Sequence, residues 1–144
     1  MGFQNILVAF DSSSYSNRAF RTALDVADAN KSKITIATVL TGIYQPSIGF
    51  SMKYNKDDLV KYTKVIKKTV SNLESIAKKK NIKVSLKILQ NPSVSTAIVN
   101  HVNSNKYDLV VMGSHGRTGL NKMILGSVAN NVIQKVKSAV MMVK

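Results

Sequence analysis

The residue types best suited to chemistry lie between positions 113 and 127. Gly113-Ser114-His115-Gly116-Arg117-Thr118-Gly119 follows the apolar run Tyr107–Met112 directly, and nine residues separate Gly116 from Gly126-Ser127. The spacing G-x2-G-x9-G-S suits anion binding. Glycines at 113 and 116 can adopt backbone conformations closed to other residues and place no Cβ in a ligand's way. The N–H groups of such a loop can converge on one concavity and hold phosphate oxygens. Gly126 and Ser127 open the last helix, where unpaired N–H groups and the helix dipole favour an anion. Ser127 either caps that helix or gives its hydroxyl to a phosphate; the sequence fits both uses. Three glycines and a serine also fit an ordinary turn. What favours phosphate is their placement between an apolar strand and a helix.

Arg117 and Lys122 are placed to pair with terminal phosphates or to remain solvated. The sequence pattern shows no nucleophile or carboxylate paired with His115, so it reads as a pocket wall or solvent residue rather than a base. His101 falls on a helix and is assigned no role. There is no G-x4-G-K-[ST] loop, no G-x-G-x-x-G after the first strand, no G-x-S-x-G elbow and no cluster at metal-ligand spacing. No catalytic residue is expected.

These residues must be positioned by elements that alternate along the chain. Asn5–Phe10, Lys33–Leu40, Val84–Leu89, Tyr107–Met112 and Ala139–Val143 are short apolar runs that read as strands. Between them, Ala19, Phe20, Ala23, Leu24 and Ala27, then Leu59, Tyr62, Ile66, Val70, Leu73 and Ala77, recur at helical spacing. Val94, Ala97, Ile98 and Val102 mark a short helix, and Val128, Val132, Ile133 and Val136 a last one. Such alternation implies an α/β fold: an open, twisted, parallel five-stranded sheet with helices on both faces. Nearly continuous apolar strands support burial on both sides. Ligands bind such sheets at the carboxyl ends of strands, where strand order reverses. Thr41–Asn55 is the one long connection, broken by Gly42, Pro46 and Gly49, and reads either as a binding lid or as a loop packed on its own domain or on a partner.

The 144 residues fit one domain spanning 1–144, with 44% apolar and 19% charged residues as in an ordinary globular chain. The absence of cysteine excludes disulfides, thiolate zinc sites and a cysteine nucleophile. No membrane span or signal peptide is expected, and the chain is read as cytoplasmic. The net charge of +14 is concentrated in the eleven lysines between 53 and 87. That stretch is either a solvated helix face or an attractor of polyanions, with Tyr54 and Tyr62 its only aromatics.

With these residues in view, the chain resembles the universal stress protein family, from NILVAFDSS through VVMGSHGRTGLNKMILGSVANNVI to AVMMV. The resemblance implies a Rossmann-like, adenine nucleotide alpha hydrolase-like sheet of order 3-2-1-4-5. ATP-binding members of the family are distinguished by the pattern that Gly113, Gly116, Gly126 and Ser127 keep here. By resemblance, Ala9 and Asp11 at the end of the first strand lie beside the nucleotide. Asp11 would bond the ribose or help hold a metal; by its own position it equally fits capping of the first helix with Ser12–Ser14. Val39 corresponds to the residue whose backbone meets the adenine edge, and Met112, His115, Val128 and Ala129 to pocket residues. Phe10 departs from the usual family sequence and would alter the base or ribose pocket.

The resemblance implies ATP, or ADP or AMP, with Mg2+ or Mn2+ held mainly by the phosphates. It also implies a homodimer through Ala139–Val143, which is an apolar edge needing cover on physical grounds as well. The expected function is a nucleotide-dependent switch with at most slow hydrolysis. The alternatives are a slow ATPase or nucleotidyl-transfer enzyme, or a nucleic-acid or acidic-surface binder acting through residues 53–87.

Overall fold

The computed structural model describes residues 2–45, 49–51, 56–116 and 125–144. The strands are β1 (Asn5–Ala9), β2 (Lys33–Leu40), β3 (Ile43–Gln45), β4 (Gly49–Ser51), β5 (Val84–Gln90), β6 (Leu109–Gly113) and β7 (Ala139–Val143). The helices are α1 (Ser14–Asn30), α2 (Lys56–Lys78), α3 (Val94–Ser104) and α4 (Ser127–Lys135). Five strands form a parallel sheet of order β5-β2-β1-β6-β7. Counting only these five, the order is 3-2-1-4-5, as expected.

Alternation along the strands sorts the core into two layers. Ile6, Val8, Ile34, Ile36, Leu109 and Val111 face α1 and α2, where Phe20, Ala23, Ile66 and Val70 meet them. Leu7, Ala37, Val110 and Met112 face α3 and α4, against Ile98, Val102, Ala129 and Val132. Each strand is apolar on both sides because each side has a helix layer to bury it. The chain enters and leaves these layers through local caps. Ser13 accepts the Ser16 N–H to start α1, and Ser93 accepts the Thr96 N–H to start α3. Lys31 in the left-handed region ends α1.

Two expectations need correction. The connection at 41–55 is not simply irregular: β3 and β4 pair as an antiparallel hairpin, Ile43 opposite Ser51 and Gln45 opposite Gly49. Gly42, at φ 101, turns the chain out of β2 into it. The fourth strand of the sheet also begins at Leu109, not Tyr107, and runs through Gly113. Asp108 ties the entry of this strand to β1: its N–H donates to Asn5 O at 2.9 Å, and its Oδ2 accepts the N–H groups of Gln4 and Asn5, both at 2.8 Å.

The lysines of α2 lie on its solvent side: Lys56, Lys61, Lys64, Lys67, Lys68 and Lys78 are exposed. Lys80 pairs with Asp28 at 3.5 Å. Lys83 and Lys87 are exposed at the β5 edge. Lys53 lies outside the described residues. Among the described residues, no helix is long and apolar enough to cross a membrane.

Candidate functional site

Strand order reverses between β1 and β6, the strands on either side of the point where chain connections diverge. Their carboxyl ends open into a cavity of about 950 Å³, a size typical of small-molecule sites. Of the fifteen residues expected to bind nucleotide, twelve line it: Ala9, Asp11, Val39, Met112, Gly113, Ser114, His115, Gly116, Gly126, Ser127, Val128 and Ala129. Arg117, Thr118, Gly119 and Lys122 lie outside the described residues.

The β1 tip is built from its own short-range bonds. Phe10 N–H donates to Ala37 O at 2.9 Å, and the buried Thr38 hydroxyl donates to Phe10 O at 3.1 Å. Asp11 Oδ1 accepts the Ser13 N–H at 2.9 Å. Ser12 adopts φ 68, the left-handed turn that folds the chain back into α1. Asp11 therefore does help organise the start of α1, although the capping oxygen is that of Ser13. Its other oxygen faces the loop: a Cβ on Gly116 would stand 2.9 Å from Asp11 Oδ2.

The glycines act differently from expectation. Among the described residues the only positive-φ glycine is Gly42, so Gly113, Gly116 and Gly126 are not used for left-handed backbone. They are used for close approach. A Cβ on Gly113 would lie 2.6 Å from Tyr15 Cβ and 3.0 Å from the Tyr15 backbone carbon. One on Gly126 would lie 3.0 Å from Ser114 O, the carbonyl that accepts the Gly126 N–H at 2.9 Å. Ser114 N–H in turn donates to Val143 O at 2.8 Å. The loop entrance, the start of α4 and the end of β7 are thus one bonded unit.

Gly126 is the N-cap of α4, without a side-chain cap bond. Ser127 is the first helical residue and is exposed, so of its two expected uses capping is not the one realised. The first intrahelical bond is Asn130 N–H to Gly126 O. The N–H groups of residues 127–129 therefore have no intrahelical acceptor and carry the positive end of the helix dipole. No acidic residue occupies that first turn. His115 Nδ1 and Ser114 Oγ are 3.0 Å apart, and the His115 ring lies 5.3 Å from that of Tyr15. The Ser114 hydroxyl is thus a partner of His115 that the sequence pattern did not reveal, and both residues line the cavity.

Phe10 also lines the cavity, as its departure from the family sequence implied, but the walls from α2 and α3 were not expected from the sequence. Tyr62, Val65, Ile66 and Thr69 of α2 line the cavity, as do Val94 and Ile98 of α3. Tyr62 and Ile66 read in sequence only as core positions of a helix. Val65, a branched apolar residue off the apolar stripe, was the available signal, one it shares with the exposed Val60. Among the described residues there is no group of three or more His, Asp or Glu able to hold a metal.

An α/β sheet whose switch point joins a carboxylate, a glycine-lined turn and a bare helix N-terminus is an arrangement suited to an anionic ligand. The family model for the universal stress protein family matches residues 2–144, and the chain belongs to that family. Universal stress protein MJ0531 of Methanocaldococcus jannaschii is 28% identical over 148 residues, covering 99% of this chain and 82% of that protein. The structure of MJ0577, also from Methanocaldococcus jannaschii, superposes with a TM-score of 0.81 at 24% identity, covering 100% of this chain and 97% of that one. That of the Archaeoglobus fulgidus universal stress protein in complex with dAMP gives 0.70 at 23% identity, covering 100% of both chains.

Proposed function

We propose that this chain is an ATP-binding regulatory protein that holds the phosphates between Gly113–Gly116 and the N-terminus of α4. The observation that carries the reading is the convergence of the β6 tip, the Asp11 carboxylate and the uncapped first turn of α4 on one cavity. Backbone donors there are preorganised for an anion and need no lysine from the described wall. Asp11 binds the ribose or, with the phosphates, a Mg2+ or Mn2+ ion; a single carboxylate is enough only if phosphate oxygens supply most of the coordination. Val39 meets the base, while Met112, Val128 and Ala129 pack beside it. The complex of the Archaeoglobus fulgidus relative with dAMP supports an adenine nucleotide as the ligand class.

The nucleotide acts as a switch rather than as the substrate of an efficient enzyme, and no residue is assigned a catalytic role. Its output is assembly. β7 is an edge of the sheet, and Val140, Met141, Met142 and Val143 are only partly buried. A second copy pairing along β7 covers that edge, and the Ser114–Val143 bond links it to the phosphate loop.

Mass spectrometry of the small molecule that co-purifies with the folded protein, followed by calorimetry with ATP, ADP and AMP, tests the reading. A resident adenine nucleotide, or saturable binding that Gly116→Val abolishes, is the expected result. A site that stays vacant at millimolar nucleotide overturns it.

A further inference from the structure

The cavity is larger in layout than the phosphate site needs, because it crosses the carboxyl edge of the sheet. On one side its lining residues Val39, Met112 and Ala129 belong to the layer under α3 and α4. On the other, Phe10, Tyr62 and Ile66 belong to the layer under α1 and α2. The tip of β1 forms the ridge between the two lobes, with Asp11 next in sequence to Phe10.

The second lobe is apolar. Phe10, Leu40 and Ile66 are 4%, 6% and 7% exposed. Thr38 and Thr69 have their hydroxyls engaged: Thr38 donates to Phe10 O and Thr69 to Val65 O, each at 3.1 Å. At the mouth stands Val65, the most exposed large apolar side chain among the described residues at 64%. It lies one position from Ile66, about 100° off the buried stripe of α2; the other exposed valine of that helix, Val60 at 48%, does not line the cavity, and the helix's remaining exposed positions are polar or charged. Nothing in the packing of α2 requires valine there, whereas a ligand entering the lobe would cover it.

We infer that this second lobe takes an apolar group attached to the ribose of the bound nucleotide, so that the preferred ligand class is an adenine nucleotide bearing an acyl or aromatic substituent at its ribose hydroxyls. This rests on the nucleotide reading above: ribose beside Asp11 sits at the ridge, from which a substituent reaches Phe10, Ile66 and Val65. The engaged hydroxyls of Thr38 and Thr69 give a polar extension little to bind, and the burial of Val65 rewards an apolar one.

The test compares ATP with ATP carrying an N-methylanthraniloyl group on the ribose, titrated into the full chain by fluorescence and by calorimetric competition. The substituted nucleotide is expected to bind about tenfold more tightly, the increment that burying part of an apolar side chain supplies, with enhanced emission from a desolvated fluorophore. In Val65→Gln, a neutral and helix-compatible change at an exposed position, the ratio of the two affinities is expected to fall towards one. ATP binding with no preference for the substituted form, or a preference that Val65→Gln leaves intact, overturns the inference while the nucleotide reading stands. Failure of both nucleotides to bind overturns both.

Discussion

The two flanks of the sheet are built on different terms. On the β6–β7 flank, backbone approaches backbone: Gly113 lies against Tyr15, Gly126 against Ser114 O, and Ser114 N–H bonds the last strand. Its edge strand, Ala139–Val143, has no charged residue. On the β5–α2 flank, the edge strand exposes Ser85, Lys87 and Gln90, and the covering helix is lined outward with lysine. A parallel sheet leaves two rows of unpaired backbone groups, and here only the β5 row is guarded by charge. By this contrast the flank carrying the proposed phosphate loop is the one whose edge lacks a charged guard.

The largest effect should come from adding one carbon to the tight flank. Gly113→Ala places a Cβ 2.6 Å from Tyr15 Cβ and 3.0 Å from its backbone, and the neighbour is not a flexible side-chain end. A loss of about 1–3 kcal/mol is expected in urea denaturation. Lys64→Ala on the exposed face of α2 should stay within about 0.5 kcal/mol. Equal costs at the two positions would remove the contrast.

The next effect concerns the edges. Val140→Lys or Met142→Lys should weaken the proposed dimer at least about tenfold in light-scattering dilution series, with far-ultraviolet dichroism confirming the fold. The reciprocal change, Lys87→Val, should add self-association at the guarded edge. A wild-type chain that is monomeric at micromolar concentration would show that β7 is not an interface.

Much of this was legible in the residues. β2 and β7 have the bounds their apolar runs define, because each run is flanked by residues that do not continue it. The loop could be located because its glycines follow an apolar strand and precede a helix. What was illegible is non-local. That Gly113 is needed for the approach of Tyr15, rather than for an unusual φ, depends on α1 packing across β6. The hairpin Ile43–Gln45 with Gly49–Ser51 is too short to show a period of two. The α2 wall of the cavity was concealed in an ordinary amphipathic pattern, where Val65 is one of two exposed valines and nothing local marks which of them lines the cavity.

The smallest effect is a pH dependence on the basic flank. His101 of α3 has its pKa lowered, first by burial and then by the charge of Lys87 on β5. Its Nε2 meets Tyr107 Oη at 3.0 Å, and its Nδ1 lies 3.4 Å from Asn105 Nδ2. The amide nitrogen is a donor, so this pairing suits an unprotonated Nδ1. The folded state therefore favours neutral imidazole, while the unfolded chain takes up a proton near the ordinary value of about 6.5. The contribution is complete above that pH and is lost as pH falls from there towards the lower folded value. Denaturation midpoints measured between pH 7.5 and 5 should fall in the wild type, and fall less in His101→Gln. In Lys87→Gln the slope should shrink without vanishing, since burial is the larger cause and remains. A wild-type slope that Lys87→Gln abolishes would make the lysine charge, rather than the packing of α3, the dominant influence on this flank.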